Sequence, residues 1–179
     1  MMKKLISLLL LTQFSYAQYT FTKEGLTPTE IITESDSASA KNLYAKSIDW
    51  IKESFEDPDE VIKARIDGKK IRFKGVTKNA YHTQVGLHTA TYDLRYAIEL
   101  SFKEGRYRFK VLKVEQFTNG AVQVGWMDFD MTDGSWLYKK NGKIKKRFLY
   151  VAKGLEDTFN SIYKSHNNYI NGLSSEDDW

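Results

Sequence analysis

The sequence predicts an α+β fold, a two-layer sandwich with a curved antiparallel sheet and two helices on one of its faces. Three observations carry this. Two stretches repeat apolar residues at three- and four-residue spacing, four others alternate apolar with charged residues, and those four are joined in pairs by Asp67-Gly68 and Glu104-Gly105. Elements with one apolar stripe or one apolar face bury themselves by stacking in two layers. The opposite face of an antiparallel sheet can then stay in water.

The chain opens MMKKLISLLLLTQFSYAQ. Lys3 and Lys4 precede an apolar run from Leu5 to Leu11, and Ser15 and Ala17 place small residues ahead of Gln18. This is the layout of a secretory signal peptide over residues 1–17, with cleavage expected near Ala17-Gln18. The run is too short to span a bilayer, and no later stretch is apolar enough to do so. The expected destination is the periplasm or the outside of the cell. A buried N-terminal core helix, the alternative, would leave the basic flank and the cleavage-like site without a reason.

Residues 18–170 read as a single domain and residues 171–179 as a short, acidic, flexible tail. The chain has no cysteine. No disulfide framework, thiolate metal site or thiol nucleophile is therefore available, and stability must come from packing. The net charge of +4 falls by two when Lys3 and Lys4 leave with the leader. Any electrostatic role then depends on how charge is distributed.

Within the domain, Tyr19–Thr22 and Ile31–Thr33 are β-prone patches separated by Gly25 and Pro28. The polar loop 34–39 supplies an N-cap for a helix over 40–55, where Tyr44, Ile48, Ile51 and Phe55 form the stripe. Asp57-Pro58 is expected to end that helix, because the residue before proline is pushed out of the helical region. Asp67-Gly68 then signals a hairpin. A two-residue loop would pair Ala64 with Ile71 and Ile62 with Phe73, leaving Lys63, Arg65, Lys70, Arg72 and Lys74 together on the other face. Residues 76–90 read as less regular. In the second hairpin, Phe102 would face Tyr107, Leu100 face Phe109, Ile98 face Val111, and Glu99 oppose Lys110. The alternation breaks at the adjacent apolars Val111 and Leu112, which predicts a β-bulge there. Residues 118–142, rich in Gly and Asp, read as an irregular connection. Phe148, Val151, Ala152, Leu155, Phe159, Ile162 and Tyr163 mark a second helix over 146–170, weakened by Gly154.

In this order of elements the chain resembles a family of exported bacterial proteins, a domain of unknown function with a TATA-binding-protein-like fold. The likeness rests on NLYAKSIDWIKESF, the strand after Asp57-Pro58, the Asp67-Gly68 hairpin, and YAIELSFKEGRYRFKV with its Gly-Arg-Tyr-Arg turn. The resemblance implies a curved antiparallel sheet backed by two helices. It implies no activity, cofactor or catalytic residue, and the reference to TATA describes shape alone.

The candidate site is the open sheet face, on which Lys63, Arg65, Lys70, Arg72, Lys74, Arg95, Lys103, Arg106, Arg108 and Lys110 are expected against mainly Asp93 and Glu99. Such a face suits an anionic ligand or an envelope partner through bidentate arginine contacts. The bland reading is an ordinary solvated strand face whose charges blunt edge pairing. Nucleic acid is not the expected partner. The aromatics of the hairpin, among them Tyr96, Phe102 and Phe109, point to the core, so no apolar wedges share the face. His82 and His88 fit no zinc spacing, and the Asp128–Gly134 stretch departs from the EF-hand pattern, so neither a metal nor another cofactor is expected. No nucleophile elbow or Gly-rich phosphate loop is present. The reading is a non-enzymatic exported binding module. Two alternatives stay open: an envelope enzyme with a His or carboxylate site near residues 81–93 or 128–133, and a self-associating structural protein.

Overall fold

The computed structural model describes residues 18–35, 38–119 and 124–173. The leader reading over 1–17 and the tail from residue 174 onward lie outside the described residues. Strands β1 (Thr20–Thr22) and β2 (Gly25–Thr27) form a small hairpin. They are followed by β3 (Glu30–Glu34), α1 (Ala40–Ser54), the short α2 (Pro58–Val61) and β4 (Ile62–Ile66). Next come β5 (Lys70–Val85), β6 (His88–Lys103), β7 (Arg106–Asn119) and β8 (Val124–Asp128). Two 3-10 turns lead into α3 (Leu149–Ile170). The main sheet is antiparallel in the order β3-β7-β6-β5-β4, and β8 pairs with the far end of β7.

Both long helices lie on one face. Trp50 of α1 meets Phe73 edge-on at 5.6 Å, Tyr44 meets Phe102 at 5.8 Å, and Tyr163 of α3 meets Phe109 at 5.6 Å. One continuous core runs from Tyr19 to Ile170, with Leu43, Ile51, Ile98, Leu100 and Phe159 fully buried. Ser39 caps α1 by accepting the Asn42 N–H at 3.1 Å. The helix ends at Ser54, ahead of Asp57-Pro58. Pro58 instead opens α2, where its missing N–H costs nothing, and Asp57 accepts the Glu60 N–H at 3.0 Å.

The second hairpin has the expected register: Phe102 pairs with Tyr107, Leu100 with Phe109, Ile98 with Val111 and Glu99 with Lys110. The bulge also falls where the alternation breaks, since Ala97 pairs with Lys113 and Leu112 is the extra residue. The first hairpin differs. Its loop holds three residues, with the Lys69 N–H donating to the Ile66 carbonyl at 2.9 Å and Ile66 pairing with Lys70. Arg65 therefore pairs with Ile71 and Ala64 with Arg72, and a bulge at Lys63 restores Ile62 to Phe73. The Asp-Gly signal is satisfied by either loop length, because Gly68 supplies the positive φ that both require.

Residues 76–90, expected to be irregular, are mostly strand. They complete β5 and begin β6, and the local irregularity is a bulge between Thr77 and Tyr81, where Asn79 has a φ of 52°. The 118–142 connection contains β8, and after Asp128 the chain crosses to the helix side, where the Phe21 and Tyr81 rings pack on Phe129. Gly154 serves packing. It lets α3 lie against the β5 backbone at Ala80 and Tyr81.

Candidate functional site

Among the described residues nothing covers the sheet face opposite the helices. Cross-strand pairing sets its side chains in rows. One row runs Ala64, Arg72, Glu99, Lys110, Glu30; its neighbour runs Ile66, Lys70, Ser101, Arg108, Ile32. Alternation of sign along the first row is the signature of a face that satisfies itself.

Glu99 is the hub. Its side chain is 5% exposed, and it holds Arg72 Nε at 2.6 Å, Lys70 Nζ at 3.3 Å and Arg108 Nη2 at 3.3 Å. Burial pushes its carboxyl up, but hydrogen bonds from Arg72 and Lys70 outweigh that and hold it below the ordinary glutamate range. Lys110, the backbone partner of Glu99, places its ammonium instead on Glu30 at 3.6 Å. Arg108 also reaches Glu30 at 3.4 Å, and Arg106 approaches Glu34 at 4.0 Å. Arg95 forks onto Glu115 at 2.8 and 2.9 Å, which holds the Glu115 carboxyl low.

Most of the expected basic surface is thus an internal ion-pair network. Arg65 leaves the face altogether: it lies on the helix side with Tyr44 and Asp67, because the three-residue loop shifts its strand by one position. Lys63, in its bulge, lines a groove at the β4–β5 edge together with Lys74 and Arg95, and Asp57 and Glu60 line the same groove. Neither Lys63 nor Lys74 has a carboxylate within salt-bridge distance among the described residues. The same is true of Lys103.

Two aromatic residues do share the open face. Phe117 and Trp126 pair across β7 and β8, their rings edge-to-face at 5.4 Å, and the Arg95 guanidinium sits 4.6 Å from the Trp126 ring. Both are half-buried. Trp126 comes from the stretch expected to be an irregular connection, and the signal for β8 lay in the alternation of Val124 to Asp128, which the Gly- and Asp-rich flanks obscured. The pair is packed on itself and under Arg95, so it does not project as a wedge.

The histidines occupy separate settings. His82 stacks on Tyr150 at 4.0 Å, and His88 is exposed near the tip of the β5–β6 hairpin. His166 is buried in α3, where its Nε2 lies 2.8 Å from Ser47 Oγ. In the Asp128–Gly134 stretch, Asp128 pairs with Lys113 at 2.7 Å and Asp130 accepts the Thr132 N–H at 2.7 Å. Among the described residues no three His, Asp or Glu side chains are arranged to hold a metal ion. No described helix is long and apolar enough to cross a membrane.

An antiparallel sheet with two long helices on one face and an open second face defines the TBP-like class of α+β domains. Residues 30–116 match the family model described as a domain of unknown function (DUF4468) with TBP-like fold. Among solved structures the chain is similar to a DUF4468 family protein from Bacteroides ovatus, with a TM-score of 0.65 and 12% identity over 84% of this chain and 87% of that one. It is also similar to a TBP-like protein from Parabacteroides distasonis, with a TM-score of 0.47 and 12% identity over 78% and 91% of the two chains. No curated protein matches.

Proposed function

We propose that the protein is an exported, non-enzymatic binding module of the bacterial cell envelope that docks an anionic partner on its open sheet face. The observation that carries this reading is the groove where Lys63 and Lys74, both exposed and without a carboxylate partner among the described residues, stand beside Arg95. The network around Glu99 keeps its neighbours rigid but neutralised. An incoming carboxylate or phosphate therefore meets free positive charge at this edge and not across the whole face. Asp57 and Glu60 also line the groove, so the ligand's negative charge is placed at the lysines. Export is supported by the leader pattern in residues 1–17, and a nucleic acid is not the proposed partner of an exported domain.

The test compares the chain starting at Gln18 with its Lys63→Glu/Lys74→Glu variant in pull-downs from envelope extracts. Loss of the captured partner in the variant, with folding unchanged by circular dichroism, supports the reading. Equal capture overturns it. A Lys103→Glu control, distant from the groove, should capture as the parent does.

A further inference from the structure

Residues 139–147 read KKNGKIKKR, six cations in nine residues, and no acidic residue stands between Asp133 and Glu156. None of the six has a carboxylate within salt-bridge distance among the described residues. On the sheet, by contrast, Arg72, Arg95 and Arg108 each rest on a glutamate. The acidic residues outside the described ones do not supply the missing charge. Asp36 follows Ser35, whose N–H donates to the Gly105 carbonyl at the other end of the sheet. Glu176, Asp177 and Asp178 come after the far end of α3, a helix of 22 residues and so roughly 33 Å long, and six extended residues reach only roughly 20 Å.

The loop that carries these cations is anchored. Tyr138 bridges to Ile144, the Lys139 N–H donates to the Lys143 carbonyl at 2.8 Å, and the Lys145 N–H donates to the carbonyl of the fully buried Leu137 at 2.8 Å. Lys139, Lys140, Lys143, Lys146 and Arg147 are exposed. The arrangement works against stability in two ways. Like charges held in one tight loop repel each other. Lys145, Lys146 and Arg147 also stand just ahead of α3, whose first turn has no acidic residue and no side-chain cap, so they oppose the positive end of the helix dipole. An anionic surface laid against the loop relieves both.

Apolar surface lies beside the charge. Trp136 is 37% exposed, Leu149 52% and Tyr150 40%. The Trp136 ring packs edge-on against Phe148 at 4.9 Å, the Arg147 guanidinium sits 4.4 Å from the Phe148 ring, and Lys145 Nζ donates to the Trp136 carbonyl at 2.7 Å. Cations and aromatic rings thus form one patch at the start of α3.

We propose that this patch lays the protein on a bilayer that bears anionic phospholipid headgroups. Five of the six cations are lysines, point charges on flexible stems that suit a field of headgroups better than a single bidentate ligand. Trp136 and Tyr150 are of the residue types that settle at headgroup level, and Leu149 beside them reaches the acyl boundary. A soluble polyanion would use the lysines and leave these three side chains in water. The patch is separate from the groove of Lys63 and Lys74, so either reading can fail without the other.

The test is vesicle co-sedimentation at physiological salt with the chain starting at Gln18, which keeps the whole core and lacks the basic, apolar leader. Vesicles of phosphatidylcholine with phosphatidylglycerol should bind it, and vesicles of phosphatidylcholine alone should not. Lys140→Glu/Lys143→Glu/Lys146→Glu should weaken binding by roughly a hundredfold or more, at about fivefold for each lysine near a membrane surface. Lys41→Glu/Lys69→Glu/Lys103→Glu makes the same change in net charge at the other end of the sheet and should lose less than about tenfold. Leu149→Ala should weaken binding about fivefold. Brominated lipid should quench tryptophan fluorescence in the parent, and Trp136→Phe should abolish that quenching. Equal binding to both kinds of vesicle, equal losses in the two triple variants, or quenching that survives Trp136→Phe overturns the proposal. Retention on immobilised heparin or duplex DNA without quenching by vesicles assigns the loop to a soluble polyanion and overturns it as well.

Discussion

Arg72 Nε stands 2.6 Å from Glu99 Oε2, in a pair where the glutamate side chain is 5% exposed and the arginine 51%. The carboxylate lies beneath its cations. Water reaches the guanidinium but hardly the carboxylate, so Glu99 depends on Arg72, Lys70 and Arg108 for the solvation it gave up on folding.

Replacing Glu99 with Gln should therefore destabilise the domain at neutral pH by about 1–3 kcal/mol, a range that allows for the partial exposure of the three cations. The effect depends on pH in a stated direction. Glu99 is held below its unfolded value of roughly 4.3, so its contribution is complete above that pH and is lost as pH falls through the folded value. Urea unfolding at a series of pH values should show the gap between variant and parent at its full size near neutrality and closing as the pH falls below the unfolded value of roughly 4.3. A gap that stays constant with pH would show that the carboxylate charge is not what the network uses.

His166 predicts a second acid dependence. Burial pulls its pKa down to about 3, and the ring is enclosed by Trp50, Tyr107 and Phe109. The unfolded chain takes up a proton near pH 6.5 while the folded protein resists, so stability is full above that pH. It falls on acidification by up to about 1.4 kcal/mol per unit. His166→Phe should flatten this slope between pH 6.5 and 4.5 in thermal unfolding, because Ser47 Oγ keeps its bond to the Leu43 carbonyl at 2.8 Å.

Ser47→Ala probes the same contact from the other side. It removes the hydrogen-bond partner of His166 Nε2 inside the core, with an expected cost of about 1–3 kcal/mol. Denaturant midpoints measure this directly, and a change within error would mean that the ring finds another partner.

Gly154→Ala should destabilise, although alanine is favoured over glycine in a helix by about 1 kcal/mol. An added Cβ would strike the Ala80 carbonyl oxygen and stand 2.6 Å from Tyr81 Cβ. Overpacking against backbone costs roughly 1–3 kcal/mol, which exceeds the propensity gain. A raised melting temperature would show that α3 can lift off β5 cheaply.

Deleting Leu112 should be tolerated, since its removal turns the bulge into regular pairing with Ala97 opposite Lys113 and Tyr96 opposite Val114. Deleting Ser101 should unfold the protein, because a one-residue slip would turn the apolar face of β6 outward. Circular dichroism and unfolding curves of the two deletions distinguish the cases.

What could be read in advance follows the range of the signal. The helix stripes, the pairing of Phe102 with Tyr107 and the bulge at Leu112 are set by alternation and spacing within a few residues, and the sequence by itself determined them. The same alternation was ambiguous at Asp67-Gly68, where one extra loop residue carried Arg65 to the helix side. It was obscured for β8, whose flanks resemble a loop. The fate of the charges was decided only by tertiary structure. Glu99 collects Arg72 from one neighbouring strand and Arg108 from the other, Glu30 reaches β7 from a strand far away in sequence, and Ser47 finds His166 across two helices. Periodicity tells each side chain which face it shares. Which charge lies opposite depends on strand order and register, and those are settled when the whole sheet closes over one core.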